Sequence, residues 1–128
     1  MSSSVYDTRF LIEHYYSANG NVQQRTKLEL MANKRRFVSV ISIHEMYSLT
    51  LKNEGRETAK LRTSLISKDF RVIDVNPSIA VKAAEIRHRL AIPMADSLIA
   101  ATSLVLGGTC VSDDPHFKTV EGLSTRWI

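Results

Sequence analysis

Four carboxylates in this chain stand where hydrolytic chemistry would need them: Asp7, Glu45, Asp96 and Asp114. Asp7 follows the short apolar run Val5-Tyr6 and precedes a helical stripe of Leu11, Ile12, Tyr15 and Tyr16, so it marks a strand-to-helix junction. Glu45 comes just after the best strand in the sequence, Phe37 to Ile41. Asp96 falls in the first turn of a helix that Pro93 opens and Gly107-Gly108 stops. Asp113 and Asp114 end the next apolar run, Thr109 to Val111, just before Pro115. In an open α/β sheet, strand ends and the helix starts beside them form the edge where ligands bind, so these acids are expected to converge. Each also has an ordinary structural use. Asp7 and Asp96 would complement helix N-termini, and Ser42-Ile43-His44-Glu45 matches a capping box in which Glu45 reaches back to the Ser42 N–H.

Packed carboxylates repel one another, and one or more must stay protonated unless a cation compensates. The set is all oxygen: His44 has no partner at zinc-ligand spacing and reads as incidental. Such ligands select a hard ion, Mg²⁺ or Mn²⁺, which can activate water and stabilise charge developing on a phosphodiester being cut. A net charge of +4 around an acidic pocket suits a polyanionic substrate. Asp113 and Asp114 are neighbours at a strand end, so they should point apart and only one can face Asp7 and Asp96. The alternative is that Asp113 faces the ion and Asp114 caps the turn before Pro115.

Helices are expected over residues 21–34, with Val22, Leu28 and Met31 facing inward, then from Met46 to Gly55, and from Arg56 to Lys68 with Leu61, Leu65 and Ile66 on one side. Asn76-Pro77 caps a further helix, and Asn19-Gly20 closes the first. Phe70 to Val75 and the tail, Leu123 to Ile128, read as strands, with Asp74 a lesser candidate at the same edge. Strands alternating with helices predict an α/β fold, a three-layer α/β/α sandwich with a central parallel sheet, in one domain over residues 1–128. Gly107-Gly108 follows a helix instead of opening one, which argues against Rossmann and P-loop nucleotide binding. The start of the chain lacks the features of a signal peptide, and no apolar run is long enough to span a bilayer. A lone Cys110 in a buried strand reads as a core residue and fits a cytoplasmic setting, with no membrane partner.

The order of motifs, with Asp7 at the first strand end, Glu45 after the second, Ala-Asp-Ser-Leu-Ile-Ala-Ala over residues 95–101 and Ser-Asp-Asp-Pro-His-Phe over residues 112–117, resembles the PIN-domain family. Within it the resemblance is to the VapC-like toxin ribonucleases of toxin-antitoxin pairs, and it spans nearly the whole chain. It implies an endoribonuclease dependent on Mg²⁺ or Mn²⁺, acting on RNA, commonly as a homodimer held off by an antitoxin protein. By position, Asp7, Glu45, Asp96 and Asp114 match the metal-site acids, and Ser112 matches a Thr or Ser that supports a bound water. Spacing to Phe117 favours Asp114 over Asp113. Many relatives carry an acid where this chain has His116, a departure that would weaken a second metal. The alternative is a PIN-like module that binds RNA or protein without cutting.

Overall fold

The structure, a computed structural model, describes residues 2–128. Its centre is β1 (Ser4–Tyr6), flanked by β2 (Arg36–Ser39) on one side and β4 (Thr109–Val111) on the other. With β3 (Arg71–Ile73) and β5 (Ser124–Arg126) at the edges, the sheet runs β3-β2-β1-β4-β5 and every pairing is parallel. Parallel neighbours need crossovers, which the helices supply: α1 (Thr8–Tyr16), α2 (Gly20–Ala32), α3 (Val40–Glu54), α4 (Arg56–Asp69), α5 (Pro77–Leu90) and α6 (Met94–Leu106). The α/β class and the PIN-like layering expected from the sequence are what the chain adopts.

Strands this short hold because both faces are covered. Val5, Phe37 and Cys110 are in register and point into a core with Ile99, Ala100 and Phe117. Tyr6, Val38 and Val111 point to the opposite face, against Phe10, Leu11, Met46 and Ile66. That alternation, one residue up and the next down, sets helices α1 to α4 on one side and α6 on the other. Among the described residues no helix is long and apolar enough to cross a membrane.

Helix starts follow local chemistry, with corrections to the sequence reading. Asn76 accepts from the Ile79 N–H, with Pro77 in the first turn, as expected. Asn19 caps the start of α2 rather than closing α1, accepting from Asn21 and Val22. The capping box at Ser42 does not form. Helix α3 begins earlier, because Ser39 accepts from the Ile41 N–H, and Ser42 is buried inside the first turn. Leu28 and Met31 face solvent, at 51% and 74% exposure, while Thr26 and Leu30 face inward. The cause lies in Glu29, which accepts from the Tyr6 hydroxyl (2.6 Å), the Asn33 side chain (2.6 Å) and Arg126 (Nη2, 3.0 Å). Pulling Glu29 and Leu30 toward the sheet turns residues 28 and 31 outward. Leu61 and Leu65 are likewise exposed, and α4 packs through Ala59 and Ile66.

The Gly107-Gly108 pair does two jobs. Gly107 ends α6 in the left-handed region at φ 65°, and Gly108 passes so close to β1 that a Cβ would sit 2.8 Å from the Ser3 carbonyl oxygen. That carbonyl accepts from the Thr109 N–H at 2.9 Å, so the approach starts the β1–β4 ladder. Gly108→Ala is therefore expected to lower unfolding free energy by about 1–3 kcal/mol in denaturant titration, the usual cost of overpacking.

Candidate active site

Strand order reverses between β1 and β4: the chain builds outward from β1 through β2 and β3, then returns to the other side of β1. The crevice at the C-terminal ends of those two strands is the switch point of the sheet. Asp7 directly follows β1 and Ser112 directly follows β4. Asp7 caps α1, its Oδ1 accepting from the Thr8 N–H at 2.8 Å, while Oδ2 accepts from the Ser112 hydroxyl at 2.7 Å. The same Ser112 oxygen accepts from the Asp114 N–H at 3.0 Å. One hydroxyl thus locks the two strand ends together.

Glu45 reaches the site from the second turn of α3, where its Oε1 accepts from the Thr8 hydroxyl at 2.6 Å. That hydroxyl also lies 2.9 Å from Ser42 Oγ. The Ser-x-x-Glu spacing therefore signals a shared helix face instead of a cap. Asp96 lies in the first turn of α6 and meets His116 Nδ1 at 2.8 Å; the same nitrogen is 3.2 Å from Asp114 Oδ1. Asp96, Asp114 and His116 each offer a ligand atom, all within 4.8 Å of one another. Two carboxylates and an imidazole at that separation fit a divalent cation, but the trio departs from the all-oxygen set expected from the sequence: His116 is in it, and Asp7 and Glu45 are not.

Not every candidate joins them. Asp113 turns to the surface, where its carboxylate takes a forked pair of bonds from Arg9 (Nη2 to Oδ2, 3.0 Å), which holds it below the usual carboxylate range. Asp74 is exposed beyond β3. Cys110 is buried and its thiol is pushed up to about 12, chiefly by burial. Thr8, Arg9 and the inward role of Ser42 were absent from the sequence reading. Only the Ser42–Glu45 spacing carried any signal of them.

Electrostatics distinguishes Asp7 from its neighbours. Only 3% exposed, its carboxyl is raised to about 6, first by burial and further by Asp96 and Glu45, against the lowering effect of the Ser112 and Thr8 hydrogen bonds. Asp96 is also raised, mainly by burial, although His116 opposes the shift. The hydrogen bond to Asp96 raises His116 in turn. Ionising Asp7 and Asp96 is costly without a compensating charge.

The PIN domain family model matches residues 4–123, which takes in every one of these side chains. The chain belongs to the PIN-domain family. No curated protein matches it. Solved structures similar to this PIN domain include DNA-bound VapBC from Salmonella typhimurium, at 20% identity and TM-score 0.82, covering 99% of this chain and 98% of the other. VapC20 from Mycobacterium tuberculosis, described as a sarcin-ricin loop cleaving toxin, is 17% identical with TM-score 0.75, covering 91% and 93%. FitAcB from Neisseria gonorrhoeae is 18% identical with TM-score 0.74, covering 95% of each chain. At these identities the likeness is one of fold.

A carboxyl raised in the folded state binds its proton more tightly there than in the unfolded chain. Its contribution is fully present below pH about 3.8 and is lost as pH rises through about 6. The loss attributable to Asp7 is about 3 kcal/mol. In chelator, stability of the wild-type chain should thus fall over that window. Asp7→Asn, which keeps the helix cap, should flatten the fall and be the more stable at neutral pH, as read by denaturant titration across pH.

Proposed function

We propose that this chain is a metal-dependent endoribonuclease and the toxin of a type II toxin-antitoxin pair, acting in the cytoplasm as a homodimer restrained by a cognate antitoxin. The observation that carries the reading is the buried Asp7 at the end of β1, raised to about 6 beside Asp96 and Glu45, with Asp96, Asp114 and His116 presenting ligand atoms together at the same edge of the sheet. Such crowding is unfavourable for a fold and useful for a cation. Membership of the PIN-domain family and the fold shared with VapBC and VapC20 support the same reading.

In this reading Asp7, Glu45, Asp96 and Asp114 hold Mg²⁺ or Mn²⁺. When bound, the ion supplies Lewis-acid stabilisation of charge on the phosphodiester and an activated water. The chain's own work is orientation. Ser112 fixes the Asp7 carboxylate and the Asp114 backbone with one oxygen, Thr8 aims Glu45, and His116 holds Asp96 against Asp114. Buried Asp7 is the group on which proton release and ion binding are most tightly linked. A module that binds RNA without cutting would gain nothing from four acids facing phosphate, which disfavours the alternative. Restraint by an antitoxin suits the same pocket, because an inserted Arg or Lys could take the cation's place.

Three experiments test it. RNA cleavage should require Mg²⁺ or Mn²⁺ and stop in excess chelator, and Asp96→Asn should abolish it while the melting temperature stays equal or rises. A fall in both activity and stability would favour a structural role for Asp96. Over a Mg²⁺ titration, Asp114→Asn should lower cleavage at least about tenfold, roughly 1.4 kcal/mol of transition-state stabilisation. Asp113→Asn, which removes only the surface pair with Arg9, should keep most activity.

A further inference from the structure

At the opposite edge of the sheet from the acids, where β2 and β3 begin, a groove is lined by Lys34, Arg35, Arg36, Lys68, Asp69 and Arg71. Lys34, Arg35, Lys68 and Arg71 are exposed. Among the described residues none of the five cations has an ion-pair partner. The one carboxylate there, Asp69, accepts from the Tyr15 hydroxyl at 2.8 Å. Arg36 donates from Nη1 to the Leu30 carbonyl at 3.0 Å, but its Nε is buried without a partner. The five cations and Asp69 account for the whole net charge of +4, leaving twelve Lys and Arg against twelve Asp and Glu over the rest of the chain.

We infer that this groove is a second RNA-binding site, gripping the phosphate backbone of a long substrate remote from the cleavage site. The choice of RNA rests on the nuclease reading; the charge pattern does not. The catalytic crevice is lined with acids that repel phosphate, and the arginine at its rim, Arg9, is already engaged by Asp113. Affinity for a polyanion must then come from cations elsewhere, and they are gathered here. An acidic protein segment would need apolar anchors beside the charges. Phe37 and Phe70, the groove's aromatic residues, are 7% and 3% exposed, so the surface offers charge alone, the match for a sugar-phosphate backbone.

The test uses the full chain in chelator, so that RNA is bound and not cut. Single-stranded RNAs of about thirty and about six nucleotides are titrated against wild type and the triple variant Lys34→Gln/Lys68→Gln/Arg71→Gln. The long RNA should bind the variant at least about tenfold more weakly, with a slope of log affinity against log salt shallower by about 2. Binding and metal-dependent cleavage of the short RNA should be unchanged. Unaltered affinity for the long RNA, or equal weakening for both lengths, overturns the inference. Tighter binding of a polyglutamate peptide than of RNA at equal charge overturns it in favour of a protein partner. If the variant melts below wild type, photo-crosslinking of 4-thiouridine RNA to the wild-type chain decides instead: adducts on peptides spanning residues 34–36 and 67–71 are expected, and their absence overturns the site. Loss of long-RNA binding in a chain that cleaves nothing would sink the nuclease reading alone, and cleavage with unchanged binding would sink the groove alone.

Discussion

Burying an acid next to other acids is the constraint from which this structure's arrangement follows. Asp7 sits at the end of the central strand, almost wholly removed from water, with Asp96 and Glu45 near enough to oppose its ionisation. Burial and like charge both favour the protonated form, and among the described residues two hydrogen bonds, from Ser112 and Thr8, work against them. A helix cap alone needs none of this, since an exposed Asp or Asn caps as well. The unfavourable electrostatics is paid for elsewhere in the fold, by two apolar cores that clamp β1 from both faces.

Topology explains why the acids share one edge of the sheet although their positions are far apart in sequence. All five strands are parallel, so every strand delivers its C-terminal end to one edge, and the reversal of order between β1 and β4 opens a crevice there. Gly108 sets how closely the β4 arm approaches β1, and Ser112 bonds both arms at the far end. The acid site and the basic groove are then opposite ends of one sheet, which separates the charge that would attract a polyanion from the charge that would hold a cation.

Much of this was legible in the sequence because the local rules and the fold agree. The apolar runs Val5-Tyr6 and Thr109 to Val111, the Asn76-Pro77 start and the Gly107 stop all state their element directly. What was misread had a tertiary cause. Leu28 and Met31 look like a helix's apolar face, but the inward direction of α2 is set by Glu29, whose partners Tyr6 and Arg126 lie at opposite ends of the chain. Ser42-x-x-Glu45 looks like a cap, but Ser39 already fills that role, and the pair faces Thr8 across the crevice. His116 was legible only as a departure from a family pattern. Its contacts with Asp96 and Asp114 depend on how the turn after β4 packs on α6.

The central claim is that the crowded acids are relieved by a divalent cation. Isothermal titration calorimetry of Mn²⁺ into the RNA-free chain, repeated in buffers of different ionisation enthalpy, counts the protons released per ion bound. With Asp7 raised to about 6, binding at pH about 6 should release a substantial fraction of a proton, and more than at pH about 8. The release should be smaller in Asp7→Asn, with the remainder coming from Asp96 and His116, whose protonated forms are also favoured. Mn²⁺ binding with no proton release at the lower pH, or no binding at all, would contradict the account.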